Sequence, residues 1–330
     1  MGKAVLNDMV SGVRIFLLLG WLVFVPGSNQ VAAQELSKSK IKENCYLIVL
    51  GTIQDAGSPH AACQKACCED LFKNPDPTRK VVSLGLIDQK VGKKYLFEAT
   101  PDMTTQMKAL KKFSHDKSSE TPDGIFVTHA HIGHYTGLMY LGKEAMNANE
   151  VPVFAMPKMK TFLETNGPWS QLVTNQNIVL KGIEDQEEVS LTAHLKVKPI
   201  KVPHRDEYSE TVGYVISGPN KSALFIPDID KWEKWKLDIN AEIKKVDYAF
   251  LDATFFDEKE INNRDMSEIP HPFIIESMKK FKAMDSEEKS KIIFIHFNHT
   301  NPVLRPDSEA SKTVIKNGFR IARIYDVFEL

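Results

Sequence analysis

The chain has 330 residues, enough for one large domain or two small ones. Its 42 Lys and Arg nearly balance 43 Asp and Glu, for a formal charge of −1, and neither sign gathers into a tract. That distribution leaves no electrostatic footprint for nucleic acid, so the expected partner is a small-molecule substrate.

Residues 1–33 read as a secretory signal. Lys3 and Arg14 precede the apolar run Ile15–Val25, Pro26 and Gly27 end it, and Val31-Ala32-Ala33 offers a small-residue cleavage site. The run is short against the roughly 20 residues a membrane span needs. No stable membrane insertion is therefore expected after cleavage, and the location expected is exported, periplasmic or secreted. An uncleaved N-terminal anchor is the alternative. Residues 34–44 are polar and Lys-rich and read as a linker, leaving 45–330 as a single domain.

Apolar runs bounded by Gly, Pro and Asn predict strands at Tyr46–Leu50, Val81–Leu86, Lys94–Phe97, Gly124–Val127, Val151–Phe154, Ile178–Leu180, Leu195–Ile200, Val212–Ile216, Ala223–Ile226, Tyr248–Leu251, Lys291–Ile295 and Arg320–Tyr325. Helices are expected at Met103–Phe113, Thr136–Met146, Pro157–Glu164, Pro272–Phe281 and Asp307–Lys316. Many strands with interspersed helices argue for sheet layers covered by helices, an α/β (α+β) domain.

Cys45 lies alone in the first strand and reads as a small buried hydrophobe. Cys63, Cys67 and Cys68 cluster after it. Three thiols leave one over in any disulfide, and they make a better zinc set, with His60 as a fourth ligand. A disulfide with one free thiol, or three free thiols, are the competing readings, because export favours oxidation.

Thr128-His129-Ala130-His131-Ile132-Gly133-His134-Tyr135 places three of the ten histidines on one strand-to-helix turn. Imidazoles at that spacing can converge on metal ions. Further His and Asp residues follow other predicted strands: His204, Asp228, Asp252, His296 and, three further on, His299. Strand-end loops on a rigid sheet are where sites are built, and core packing does not require this pattern.

These residues resemble the metallo-β-lactamase superfamily, whose hallmark is H-x-H-x-D-H after a strand, then a His, an Asp and a final His on later loops. T-H-A-H-I-G-H, V-P-H-R-D, F-I-P-D-I-D and I-F-I-H-F-N-H occupy the corresponding places over 45–330. A closer resemblance is to the pyrroloquinoline-quinone biosynthesis protein B group. It rests on Val49-Leu50-Gly51, the cysteine cluster, Ala99-Thr100-Pro101-Asp102, Leu251-Asp252-Ala253-Thr254, Arg264-Asp265-Met266 and, above all, Ile295 to Leu304. The resemblance implies a four-layer αββα sandwich and a structural zinc at the cysteines.

It also implies one ion held by His129, His131, His204 and Asp228, and a second held by His134, Asp228 and His296 or His299. Gly133 stands where the acid belongs, so the second position is expected to be weak, empty, or completed by His299 or Asp252, and a one-metal centre stays open beside a two-metal one. Zinc is the metal expected, with iron or manganese as alternatives. Asp228 would orient the metal-activated water or take its proton, and His134 or His299 would donate a proton to the leaving group. Asp252 is a further pocket residue. His271, in a Pro-His-Pro turn, lines the pocket or is an ordinary exposed turn residue. The expected function is an exported metal-dependent hydrolase of an ester, lactone, amide or phosphodiester, acting as monomer or homodimer. The alternatives are a non-haem-iron oxygenase of the quinone-biosynthesis type and a non-catalytic metal-binding or carrier protein.

Overall fold

The computed structural model describes residues 44–262 and 264–330. The expected signal segment 1–33, and the expected linker up to residue 43, lie outside the described residues. Strand β1, Cys45–Gly51, is buried at every position, so structure covers both of its faces. Cys45, Leu47 and Val49 point into a core shared by two sheets. Ile48 and Leu50 point the other way, where they and Leu110 crowd Gly85. Leu110 belongs to the helix Met103–Phe113.

The other strands are β2 (Ser83–Asp88), β3 (Lys93–Phe97), β4 (Gly124–Phe126), β5 (Val151–Ala155), β6 (Ile178–Gly182), β7 (Val189–Ser190), β8 (Lys196–Lys201), β9 (Val212–Ser217), β10 (Ser222–Ile226), β11 (Tyr248–Asp252), β12 (Ile292–Ile295), β13 (Arg320–Ile321) and β14 (Val327–Glu329). Among the described residues they form two seven-stranded sheets, ordered β14-β1-β2-β3-β4-β5-β6 and β13-β12-β11-β10-β9-β8-β7. Alternation along β10 to β12 supplies two cores. Ala223, Phe225, Phe250, Ile293 and Ile295 face the first sheet. Leu224, Ile226, Ala249, Leu251, Ile292 and Phe294 face the helices, against Trp232, Ile239, Ile243, Ile274, Phe281 and Val314. The result is helix, sheet, sheet, helix: the αββα sandwich. Each fully buried large apolar side chain contributes about 1.5–3 kcal/mol.

Parallel pairing sets the place of the site. β3 to β6 run parallel, with Phe97 opposite Phe126, so Glu98 and Val127 leave the first sheet side by side. β10, β11 and β12 are also parallel, with Ile226 opposite Leu251 and Asp252 opposite Ile295. The residues that follow them therefore emerge at one edge. The sheets are stitched together there: Tyr214 Oη donates to Val127 O at 2.6 Å, Val212 N to Thr128 O at 3.2 Å, and Ala130 N to Ser209 Oγ at 2.8 Å.

Several elements differ from the sequence reading. The helix expected over Thr136–Met146 is a short α turn, Ile132–Tyr135, followed by a 3-10 turn, Thr136–Leu141. A Cβ on Gly137 would lie 2.1 Å from Thr100 O, so the turn packs directly on the backbone after β3 and cannot continue as a regular exposed helix. The strand expected over Arg320–Tyr325 is cut short: only Arg320–Ile321, β13, joins the second sheet, and the chain then crosses to pair as β14, beyond the expected range, with β1. Lys291 ends a helix, Ser286–Lys291, rather than opening β12. The helices Ala66–Lys73, Trp169–Thr174 and Ile239–Lys244 are not predicted from the sequence, since at six to eight residues they are shorter than the window over which a helical period can be read.

Candidate metal centre

β4 delivers Thr128 and His129 to the edge, and the short turn that follows brings back His134, whose carbonyl accepts from Ala99 N at 2.9 Å. His129 Nε2 lies 2.8 Å from His131 Nδ1 and 3.4 Å from Asp228 Oδ2. His204 Nε2 lies 3.2 Å from the same oxygen. Thus His129, His131, His204 and Asp228 offer four ligand atoms within 4.8 Å of one another, the set expected for the first ion.

A second set is Asp55, His134, Asp228 and His296. Asp55 Oδ1 lies 2.7 Å from His134 Nε2 and 3.2 Å from His296 Nε2. Asp228 Oδ2 lies 3.9 Å from His134 Nε2, so one carboxylate borders both sets. The second position, expected to be one ligand short because Gly133 stands where the acid belongs, has a further carboxylate beside Asp228, from the loop after β1. Asp252 is not in this set; it joins Asp228, His271 and His296 in a third.

Buried partners fix the imidazoles. Glu98 Oε1 accepts from Thr128 Oγ1 at 2.6 Å and from His134 Nδ1 at 3.0 Å. With the Thr128 hydroxyl donating to Glu98, His129 Nδ1, 2.8 Å away, is the donor to Thr128 Oγ1, which leaves His129 Nε2 free as a ligand. Asp252 Oδ1 accepts from Thr254 Oγ1 at 2.7 Å, and Thr254 in turn lies 2.9 Å from His296 Nδ1. Glu98 and His296 hold φ of 75° and 69°, a left-handed conformation that costs side chains like these on the order of 1 kcal/mol and is held here by the surrounding contacts.

The donor set fits a cation. The His204 ring is buried, yet neither of its nitrogens makes a hydrogen bond of acceptable geometry among the described residues, and Asp228 Oδ1 likewise makes none, although His271 Nδ1 lies 3.2 Å from it. Burial opposes ionisation of Asp228, but the neighbouring His204 and His271 rings hold its carboxyl well below the usual range. Burial also drives His129 well below its ordinary value, toward the neutral form a ligand needs. A neutral imidazole and a carboxylate are donors of a divalent metal site. Burial opposes charge on His134 and His296 too, but Asp55, with Glu98 for the one and Asp252 for the other, holds both above the ordinary value. An ion at the second set would therefore displace protons.

His271 is neither an exposed turn residue nor peripheral. It is buried, its Nδ1 donates to Asp252 Oδ2 at 2.9 Å, and Asp228 Oδ1 lies 3.2 Å away. Burial disfavours its charge, but Asp252 and Asp228 override this and push it up to about 10.

Two expected placements change. His299 is not at the Asp-His cluster; it lies with Cys63, Cys67 and Cys68, all within 4.8 Å by ligand atom. Its Nδ1 is buried without a partner among the described residues, and burial, with His60 and Lys65 nearby, lowers it to about 4. His60 is outside that group of four: its ring tilts over His299 at 4.6 Å and its Nδ1 accepts from Ala62 N. The thiols are free, with Cys63 Sγ 3.7 Å from Cys67 Sγ. His134 has both ring nitrogens engaged, Nδ1 by Glu98 and Nε2 by Asp55.

The sequence does not single out Glu98, and it places Asp55 only on the loop, with His60, that the resemblance brings to the metal edge, not as a ligand. Glu98 immediately precedes the quoted Ala99-Thr100-Pro101-Asp102, and Asp55 follows β1 at a distance no spacing rule covers. The available signal was Gly133 itself, since a glycine in place of a ligand asks which carboxylate replaces it.

Two sheets, helices on both outer faces and His and Asp ligands at one sheet edge define the metallo-β-lactamase fold. The model for the "Beta-lactamase superfamily domain" matches residues 93–297, and the chain belongs to that superfamily. Within it the chain is PqqB-like. It is 24% identical over 310 residues to "Coenzyme PQQ synthesis protein B" of Methylobacillus flagellatus, covering 86% of this chain and 99% of that protein. The Zn2+-bound PqqB of Methylobacterium extorquens matches in structure with a TM-score of 0.71 at 20% identity, over 86% of this chain and 100% of that one. A diphosphatase from the PhnP family gives a TM-score of 0.59 at 22% identity, over 87% and 97%. The short form of human tRNase Z gives 0.53 at 14%, over 86% and 98%.

Proposed function

We propose that the chain is a metal-dependent hydrolase acting on an ester, lactone, amide or phosphodiester of a small molecule. One observation carries this reading: two convergent ligand sets, His129/His131/His204/Asp228 and Asp55/His134/Asp228/His296, share a single buried carboxylate. A bound zinc or similar ion there would supply hydroxide near neutral pH and positive charge for a developing oxyanion. Asp228 orients the attacking water and accepts its hydrogen bond. His271, tied through Nδ1 to Asp252, is the side chain placed to move a proton at its other ring nitrogen, the role first expected of His134 or His299. Substrate approaches over His131, which is partly exposed, with Glu207 3.7 Å from it. Beside it a cavity of about 450 Å³ is lined by Phe162, Glu207 and Tyr208. The PhnP-family diphosphatase and the tRNase Z both act at phosphorus–oxygen bonds, which puts the phosphodiester first among the substrates to be tried.

Cys63, Cys67, Cys68 and His299 are proposed to hold a structural zinc, in place of the set with His60. Export through the segment 1–33 and a monomeric or homodimeric state complete the proposal. The name of the relative, coenzyme PQQ synthesis protein B, favours one second reading, a role in coenzyme biosynthesis; an oxygenation within that role would require a redox-active metal such as iron. Elemental analysis of the full chain beside His129→Ala, followed by an ester and phosphodiester panel, decides. Zinc lost from His129→Ala, with turnover by the wild type, supports the hydrolase. Iron lost from that variant favours the second reading, and no metal loss refutes the centre.

A further inference from the structure

Gly133 stands where the superfamily motif carries its acid. A Cβ built on Gly133 would lie 2.4 Å from Asp55 Cα, 2.8 Å from Asp55 Cβ and 2.9 Å from Asp55 Cγ. The space that a side chain at 133 would enter is thus already filled by Asp55. Gly133 does not have a positive φ, so the turn itself does not demand glycine; room for Asp55 does.

Asp55 is held firmly in that space. Ile53, two residues earlier, bridges to Val81 and to Phe297. Phe297 N donates to Thr52 O at 2.7 Å, and Gln54 N donates to Phe297 O at 2.8 Å. The loop is therefore laced to the residue that follows His296, and Asp55 Oδ1 falls between His134 Nε2 and His296 Nε2.

We propose that Asp55 is a relocated metal ligand, and that Gly133 and Asp55 are an exchanged pair: the carboxylate has left the motif turn and returns to the same ion position from the loop after β1. This rests on the metal-centre reading above and deepens it. With Asp55 and Asp228 both present, the second position keeps two carboxylates, and the centre holds two ions rather than one. The pair is interdependent, because an acid at 133 is blocked while Asp55 is present, and glycine at 133 leaves the position short of a ligand once Asp55 is removed.

The test uses the full-length chain loaded with Zn2+, with zinc per chain measured by elemental analysis and affinity by chelator competition. Asp55→Asn preserves shape and is expected to carry one zinc fewer than wild type, or to hold that ion at least about tenfold more weakly. The double variant Asp55→Gly/Gly133→Asp, with its fold checked by circular dichroism, is expected to regain it. Asp55→Asn with wild-type zinc count and affinity overturns the ligand assignment. A folded double variant that stays one zinc short overturns the exchange. The underlying reading fails separately, if His129→Ala loses no zinc.

Discussion

Glu98→Gln is the sharpest probe of how the histidines are held. Glu98 is fully buried and receives three hydrogen bonds: Thr128 Oγ1 at 2.6 Å and His134 Nδ1 at 3.0 Å on Oε1, and Thr128 N at 3.3 Å on Oε2. A glutamine has one oxygen and one NH2 in the same volume. If its oxygen takes the Oε1 place, the NH2 faces the Thr128 amide; if it takes the other, the NH2 faces both the hydroxyl and the imidazole. Either way a buried donor meets a donor. Hydrogen bonds to charged groups contribute about 1.5–3 kcal/mol, and an unsatisfied buried donor costs about 1–3 kcal/mol. The expected loss of stability is about 2–4 kcal/mol, read as a lowered urea midpoint of the metal-free chain. Supporting contacts of this kind are worth about 10–100-fold in metal affinity, so zinc is expected to bind that much more weakly at the His134 position. Unchanged urea midpoint and zinc affinity would refute the account of Glu98 as the common anchor of Thr128, His129 and His134.

Two further outcomes test other parts of the structure. Gly137→Ala places a methyl 2.1 Å from Thr100 O and 2.9 Å from the Ala99 carbonyl, all backbone, so a loss of about 1–3 kcal/mol is expected by thermal denaturation; a neutral result would refute the close approach. Burial pushes Glu260 from 4.5 to about 7, with Thr300 bonding against the shift. A raised folded-state value means that the native chain binds more protons between about pH 4.5 and 7, so its contribution to stability falls as pH rises through that window. Glu260→Gln should therefore gain on wild type by on the order of 2 kcal/mol from pH 5 to pH 8 in urea titrations, and parallel pH profiles would refute it.

The strands were legible because they are buried runs with clear punctuation, and the first ligand set because histidines after strands leave a linear trace. What was not legible is tertiary. Asp55 reaches His296 across 241 residues, and nothing local marks it. His299 sits three residues from His296, yet it turns to the thiols, since Asn298 N is bonded to Thr254 O and the chain turns away after His296. His271 looked like a surface turn because its Pro-His-Pro frame is a turn signal, whereas two carboxylates hold it inside. The early end of the strand expected over Arg320–Tyr325 shows the same limit, for apolar pattern does not say where the chain leaves one sheet for the other.

The stitched edge between the two sheets has a consequence for how the protein matures. Its ligands come from both sheets and from loops near the two ends of the described chain, so neither half carries a usable site. The first set is complete once the loops after β4, β8 and β10 meet across the docked sheets, and the second can be filled only after β12 has also been made and placed. The ion would then act as a lock on a finished structure rather than as a seed for it. Added metal should slow unfolding and raise the melting temperature by mass action while leaving the refolding rate nearly unchanged.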